Sequence, residues 1–130
     1  MVRTMSLVLD TFALFQLFIG SEKGEKVKQI LRKDNNVFIS VLSLYEIGTA
    51  ITKQINRKKA EEYLRTIRVH YKIIDVNEKT AMKAIEIHHK YNIPAIDCLI
   101  YATAIMNNAK VVSGCRHFKK ISGQRNVIVV

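Results

Sequence analysis

Short runs of strand-forming residues, separated by stretches of helical periodicity, restrict what this chain can fold into. Leu7-Val8-Leu9 ends in Asp10, and Val37-Phe38-Ile39-Ser40, Ile73-Ile74-Asp75-Val76 and Val111-Val112-Ser113 repeat the form. Apolar runs of this length, without polar alternation, read as strands buried on both faces, as in a parallel sheet. Val127 to Val130 supplies a last strand. Between them, Val27, Ile30 and Leu31, then Leu44, Ile47 and Ile51, then Ala60, Tyr63, Leu64 and Ile67 each place apolar groups on one helical face. Glu78 to Tyr91 and Ala95 to about Asn107 form a further pair of helices, parted by Pro94, which forbids a continuous helix. Parallel strands need crossover connections, so the pattern predicts a three-layer α/β/α fold with a central, mainly parallel sheet of four or five strands. In such sheets functional groups collect beyond the carboxyl ends of the strands, and Asp10 is expected at one of them.

The chain has 130 residues, of which 48% are apolar, enough to bury a core. A single Pro and five Gly, with no repeat or linker-like stretch, predict one domain over residues 1–130. A formal charge of +10 makes polyanions the leading partners, with nucleic acid ahead of a membrane surface. The opening stretch Met1–Leu9 holds an apolar run too short for a signal peptide, and no later segment reaches transmembrane length. A cytoplasmic location is therefore expected. Cys98 and Cys115 show neither CxxC nor paired-His spacing, so two free thiols are expected.

Three acids stand at places where chemistry collects, and each also has an ordinary explanation. Asp10 precedes the aromatic-rich helical segment Phe12 to Phe18, where an N-cap is worth about 1 kcal/mol. Glu46 lies three residues beyond Ser43, a capping-box spacing, yet also borders the apolar stripe of its helix. Asp97 stands in the first turn after Pro94, where the helix dipole favours an acid. What capping leaves unexplained is that Asp97 is the only charged residue between Tyr91 and Lys110, in a helix apolar on nearly every face. Three carboxylates converging at strand ends would repel one another unless a hard, oxygen-preferring cation joined them, and Mg2+ or Mn2+ fits.

These residues bring a family with them. Val8-Leu9-Asp10-Thr11 resembles the opening strand and first acid of the PIN-domain nucleases, Phe38-Ile39-Ser40-Val41 through Tyr45-Glu46-Ile47 the segment with the second, and Asp97-Cys98-Leu99-Ile100-Tyr101-Ala102-Thr103-Ala104 their "D-x-L-I-x-A-x-A" helix. The likeness spans nearly the whole chain and is closest to the VapC-type toxins. It implies a Mg2+- or Mn2+-dependent endoribonuclease with Asp10, Glu46 and Asp97 as catalytic metal ligands, often a homodimer held in check by a cognate antitoxin. The family usually carries a fourth acid in a "T-x-D-x-x-F"-like element. Here the element reads Ser113-Gly114-Cys115-Arg116-His117-Phe118, with Ser113 at the hydroxyl position, Phe118 at the aromatic and Cys115 in place of the acid. Soft sulfur suits magnesium poorly. Two readings stay open: a site run on three carboxylates, with water or Ser113 filling the gap, or a weakened PIN-like module that binds RNA or an antitoxin without cutting.

The remaining polar residues are read plainly. Asp75 is a strand-end residue rather than a replacement acid, Glu78 a first-turn helix acid, and His117 part of a basic rim with Arg116, Lys119 and Lys120. That rim, with Lys53, Arg57, Lys58, Lys59, Arg65 and Arg68, forms the expected RNA-contacting set. Tyr45 and Tyr101 are assigned to the core, as are Phe12, Phe15, Leu17 and Phe18.

Overall fold

The computed structural model describes residues 5–33, 36–121 and 123–130; the start of the Met1–Leu9 stretch lies outside them. Five strands, β1 (Ser6–Leu9), β2 (Asn36–Ser40), β3 (Lys72–Ile74), β4 (Lys110–Ser113) and β5 (Val127–Val129), form one sheet in the order β3-β2-β1-β4-β5. Every pairing is parallel. The helices are α1 (Thr11–Ile19), α2 (Glu22–Leu31), α3 (Val41–Gln54), α4 (Arg57–His70), α5 (Glu78–Tyr91), α6 (Ala95–Met106) and the short α7 (Arg116–Lys119). The expected three-layer α/β/α architecture is therefore the observed one, with the sheet wholly parallel.

Strand alternation divides the core between the two faces of the sheet. Leu7, Leu9, Ile39 and Val112 pack on one side with residues of α1 to α4, among them Leu14, Val27, Ile47 and Ile67. Val8, Val111 and Val127 pack on the other with Ile87, Ile100, Tyr101 and Phe118 of α5, α6 and α7. Burial on both faces explains why the strands read as unbroken apolar runs. Phe15, Leu17 and Phe18 join the first cluster as partly buried groups, as expected. Helix α6 is buried along most of its length, and its Cys98 thiol donates to the Ile93 carbonyl at 3.3 Å. Both cysteines are free.

The third strand is shorter than its sequence suggests. It ends at Ile74, whose partner is Ser40, the last residue of β2 before the chain turns into α3. Asp75 and Val76 have no strand left to pair with, and Asp75 is exposed.

Strand order turns the rim of the sheet into a site. Chain direction runs outward from β1 through β2 to β3, then returns to the far side of β1 for β4 and β5. The loops after β1 and β4 therefore part in opposite directions, opening a crevice at the carboxyl edge between them. Asp10 follows β1 and Ser113 closes β4, with Leu9 paired to Val112 just below.

The β1–β2 crossover depends on a close turn between α1 and α2. The Ser21 hydroxyl caps α2 by accepting the Gly24 N–H at 3.0 Å, and a Cβ on Gly24 would overlap the Gln16 carbonyl oxygen. Gly24→Ala is expected to lower stability by about 1–3 kcal/mol through backbone displacement, read as a lower urea midpoint with unchanged slope.

Candidate metal and catalytic site

Asp10 serves as cap and as site acid at once. It is the N-cap of α1, and its Oδ1 accepts the Ala13 N–H at 2.8 Å. At 2% exposure it is buried where a helix begins at the rim of the sheet. The Ser113 hydroxyl donates to it, while the same Ser113 Oγ accepts the Cys115 N–H at 3.1 Å. One serine thus ties the carboxylate to the loop after β4. Burial is the largest influence on the Asp10 carboxyl and lifts its pKa from 3.8 to about 7. The hydrogen bonds from Ser113 and Ala13 oppose the rise, and the charges of Asp97 and Glu46 reinforce it.

Glu46 reaches the same place by a different route from the expected capping box. Helix α3 starts directly after β2, with Ser40 as its N-cap accepting the Leu42 N–H at 3.1 Å, so Ser43 lies inside the helix and Glu46 beyond its first turn. The Ser43 to Glu46 spacing is not used as a cap because strand and helix meet without an intervening loop. Instead Glu46 Oε1 accepts the Thr11 hydroxyl at 2.6 Å, joining α3 to α1.

Asp97 occupies the first turn of α6, whose N-cap, Pro94, supplies no side-chain hydrogen bond. Its Oδ2 pairs with His117 Nδ1 at 2.8 Å. Partial burial raises the Asp97 carboxyl above its usual range, with His117 pulling it back and the Glu46 charge adding to the rise. His117 is therefore more than the basic-rim residue expected from its neighbours Arg116, Lys119 and Lys120. The turn Ser113-Gly114-Cys115 and the start of α7 direct it at an acid that lies far away in the chain. Nothing in the local sequence signals that pairing; only a serine, cysteine and histidine at alternate positions after a strand mark the loop.

Asp10, Thr11, Glu46, Asp97, Cys115 and His117 line one cleft of about 430 Å³. All three sequence-predicted acids meet there, with Thr11, Ser113 and Cys115 beside them. Gly114 allows this approach: a Cβ on it would lie 2.7 Å from the Phe12 ring and 2.9 Å from the Val130 carbonyl oxygen. Phe12, expected in the core, lines the cleft. Tyr101 is buried as expected, its hydroxyl bonded to Asn126 at 2.7 Å, but Tyr45 is 70% exposed on α3 and is a correction to the sequence reading. Asp75 and Glu78 do not line the cleft.

The donor set suits a hard divalent cation on its carboxylate side. The raised carboxyls of Asp10 and Asp97, with the Glu46 charge beside them, are what a bound cation would relieve. The Cys115 and His117 side differs, offering sulfur and nitrogen.

A wholly parallel α/β/α sheet with three acids gathered at its switch point defines the class of open α/β proteins whose crevice lies at the carboxyl ends of the strands. The PIN domain profile matches residues 7–124, and the chain belongs to the PIN-domain family, a family of nucleases that use divalent metals. No curated protein compared with the chain matches it significantly in sequence. Among solved structures the fold is similar to VapBC2 of Rickettsia felis bound to a DNA fragment from its promoter, at 23% identity and a TM-score of 0.76 over 97% of this chain and 98% of that one. It is also similar to DNA-bound VapBC of Salmonella typhimurium, at 17% identity and a TM-score of 0.77 over 97% and 98%. VapC20 of Mycobacterium tuberculosis, a toxin that cleaves the sarcin–ricin loop, matches at 17% identity and a TM-score of 0.67 over 80% and 85%. Among the described residues no helix is long and apolar enough to cross a membrane.

The Asp10 carboxyl makes the cation-free protein sensitive to pH. With the folded pKa raised, the folded state holds a proton that the unfolded chain has already lost, so the stabilisation is complete below about pH 4 and declines as pH climbs toward 7. Urea unfolding of the metal-stripped protein is expected to show lower stability at pH 8 than at pH 5, each pK unit corresponding to about 1.4 kcal/mol. Asp97 adds in the same direction. Asp10→Asn, which keeps a good N-cap, is expected to remove most of the dependence; an unchanged slope would place its origin elsewhere.

Proposed function

We propose that the chain is a metal-dependent endoribonuclease that hydrolyses RNA phosphodiester bonds and acts as the toxin of a toxin–antitoxin pair. The observation that carries this reading is the meeting of Asp10, Glu46 and Asp97, from three separate elements, in one cleft at the switch point of the sheet. Membership of the PIN family supports the hydrolytic class, and the cleaving toxin and antitoxin-bound complexes among the structural relatives support the substrate and the partner. Asp10, Glu46 and Asp97 would hold Mg2+ or Mn2+, which supplies an activated water and charge neutralisation at the scissile phosphate.

The chain's own residues prepare that chemistry. Ala13 N–H and the Ser113 hydroxyl hold Asp10, the Thr11 hydroxyl holds Glu46, and His117 holds Asp97, so each carboxylate is oriented by a separate donor. Water is the nucleophile and no covalent protein intermediate forms. Arg116 and Lys119, exposed on α7, and Lys120, exposed at its C-cap, steer and hold the phosphate backbone without reading its sequence. The basic α4 is a second surface: Arg57 and Lys59 are paired with Glu61 and Glu62, while Lys58, Arg65 and Arg68 are exposed on the same helix. A homodimer and a cytoplasmic location belong to the same reading.

The second reading is a degenerate module that binds RNA or an antitoxin without cutting. Its support is Cys115, which lines the cleft where the family's fourth acid is expected.

A pool of single-stranded and structured RNA, incubated with purified protein and Mg2+, Mn2+ or EDTA, distinguishes the two. Metal-dependent cleavage is expected, abolished by EDTA and reduced roughly 100-fold or more by Asp97→Asn, since metal ligation supplies several kcal/mol to the transition state and each ~1.4 kcal/mol is tenfold. RNA retained without cleavage, together with a large gain in Cys115→Asp, would establish the degenerate module instead.

A further inference from the structure

The loop after β4 carries a donor set that the carboxylate site does not use. Cys115 Sγ, a ring nitrogen of His117 and a carboxylate oxygen of Asp97 lie within 4.8 Å of one another, and all three side chains are half-buried at the cleft wall. From these we infer that Asp97, Cys115 and His117 form a binding site for a borderline d-block cation, with Zn2+ as its preferred occupant over Mg2+.

The argument rests on donor chemistry and placement. Thiolate and imidazole favour zinc and its neighbours, whereas magnesium takes oxygen donors. One sulfur, one nitrogen and one carboxylate oxygen make a three-ligand tetrahedral set whose fourth position is left to water or another oxygen donor. Zinc bonds of about 2.0–2.3 Å in tetrahedral geometry require the hydrogen-bonded Asp97 and His117 atoms, 2.8 Å apart, to open slightly and the Cys115 sulfur to adjust to them. That adjustment is open to them because two of the ligands sit two residues apart on one turn. The backbone of that turn is anchored on both sides of Cys115: its N–H donates to Ser113 Oγ at 3.1 Å, and its carbonyl accepts the Lys119 N–H at 3.2 Å.

The Asp97–His117 hydrogen bond of 2.8 Å marks the place a cation would take. A bound cation exchanges the proton between imidazole and carboxylate for two metal bonds, and displaces the thiol proton of Cys115 to solvent. The acids nearest the site favour this exchange, since Asp10 and Glu46 line the same cleft, against the exposed cations Arg116 and Lys119 on α7 and Lys120 at its C-cap. Cys98, the other cysteine, is buried on α6 and donates to the Ile93 carbonyl, so it does not compete. The inference shares Asp97 with the ribonuclease reading but does not need cleavage to occur.

The test is a titration of reduced, metal-stripped protein with Co2+, whose thiolate charge-transfer and ligand-field bands report the donor set directly. A thiolate band with tetrahedral visible bands is expected, displaced by stoichiometric Zn2+ and retained in a large excess of Mg2+. Cys115→Ser is expected to abolish the band while Cys98→Ser keeps it. His117→Ala is expected to weaken zinc binding by more than the roughly 10–100-fold that loss of an outer-shell partner costs. Circular dichroism confirms that each variant is folded. A band that survives Cys115→Ser, or Co2+ displaced by Mg2+ at matched concentration, would overturn the inference. The band without RNA cleavage in any metal leaves the zinc site standing and removes the nuclease; Mg2+-dependent cleavage with no band does the reverse.

Discussion

Burial of one carboxylate at the rim of a parallel sheet is the constraint on which the rest of the structure depends. Asp10 is 2% exposed, held by a helix N-terminus and by Ser113, and burial, reinforced by the charges of Asp97 and Glu46, raises its carboxyl to about 7. An apolar replacement would not carry that penalty, yet the fold surrounds this acid with two more carboxylates. Glu46 and Asp97 come from α3 and α6, one on each side of the sheet, so both helical layers converge on the same point. The arrangement is intelligible as a place where a cation belongs, since like charges brought together in a partly desolvated cleft favour either protonation or metal.

The sheet provides this rim because both its faces are committed to packing. With Leu7 and Leu9 on one side and Val8 on the other, β1 has no polar face and its only chemistry is at its carboxyl end. The reversal of strand order between β1 and β4 then sets Asp10 beside Ser113 and the loop to Cys115 and His117. Gly114 lets that loop lie close to Phe12 and Val130, which brings Cys115 and His117 over the acids. Fold and site share the same small contacts, so a side chain added at Gly114 would disturb both.

The departure at Cys115 changes the character of one wall of the cleft. Where the family's acid is expected, the chain presents sulfur, and His117 supplies nitrogen to the Asp97 carboxylate. The oxygen-rich and sulfur–nitrogen sides of the cleft meet at Asp97.

Local physics made much of this legible in sequence. Apolar runs of three or four residues identify buried strands because only a sheet covered on both faces tolerates them, and helical periodicity marks the layers on either side. Asp10, Glu46 and Asp97 were recognisable because each breaks or borders an apolar pattern, and the order of the three segments matched a family. The end of β3 was not readable, since it depends on where β2 stops offering partners, nor was the direct β2–α3 junction that makes Ser40 the cap and frees Glu46 for Thr11. The exposure of Tyr45 and the bond between His117 and Asp97 also required the tertiary structure. Patterns within a few residues are set by local backbone geometry and burial, which the sequence by itself determines. Pairings between residues far apart in the chain exist only once strand order brings their loops together, and that the tertiary structure alone decides.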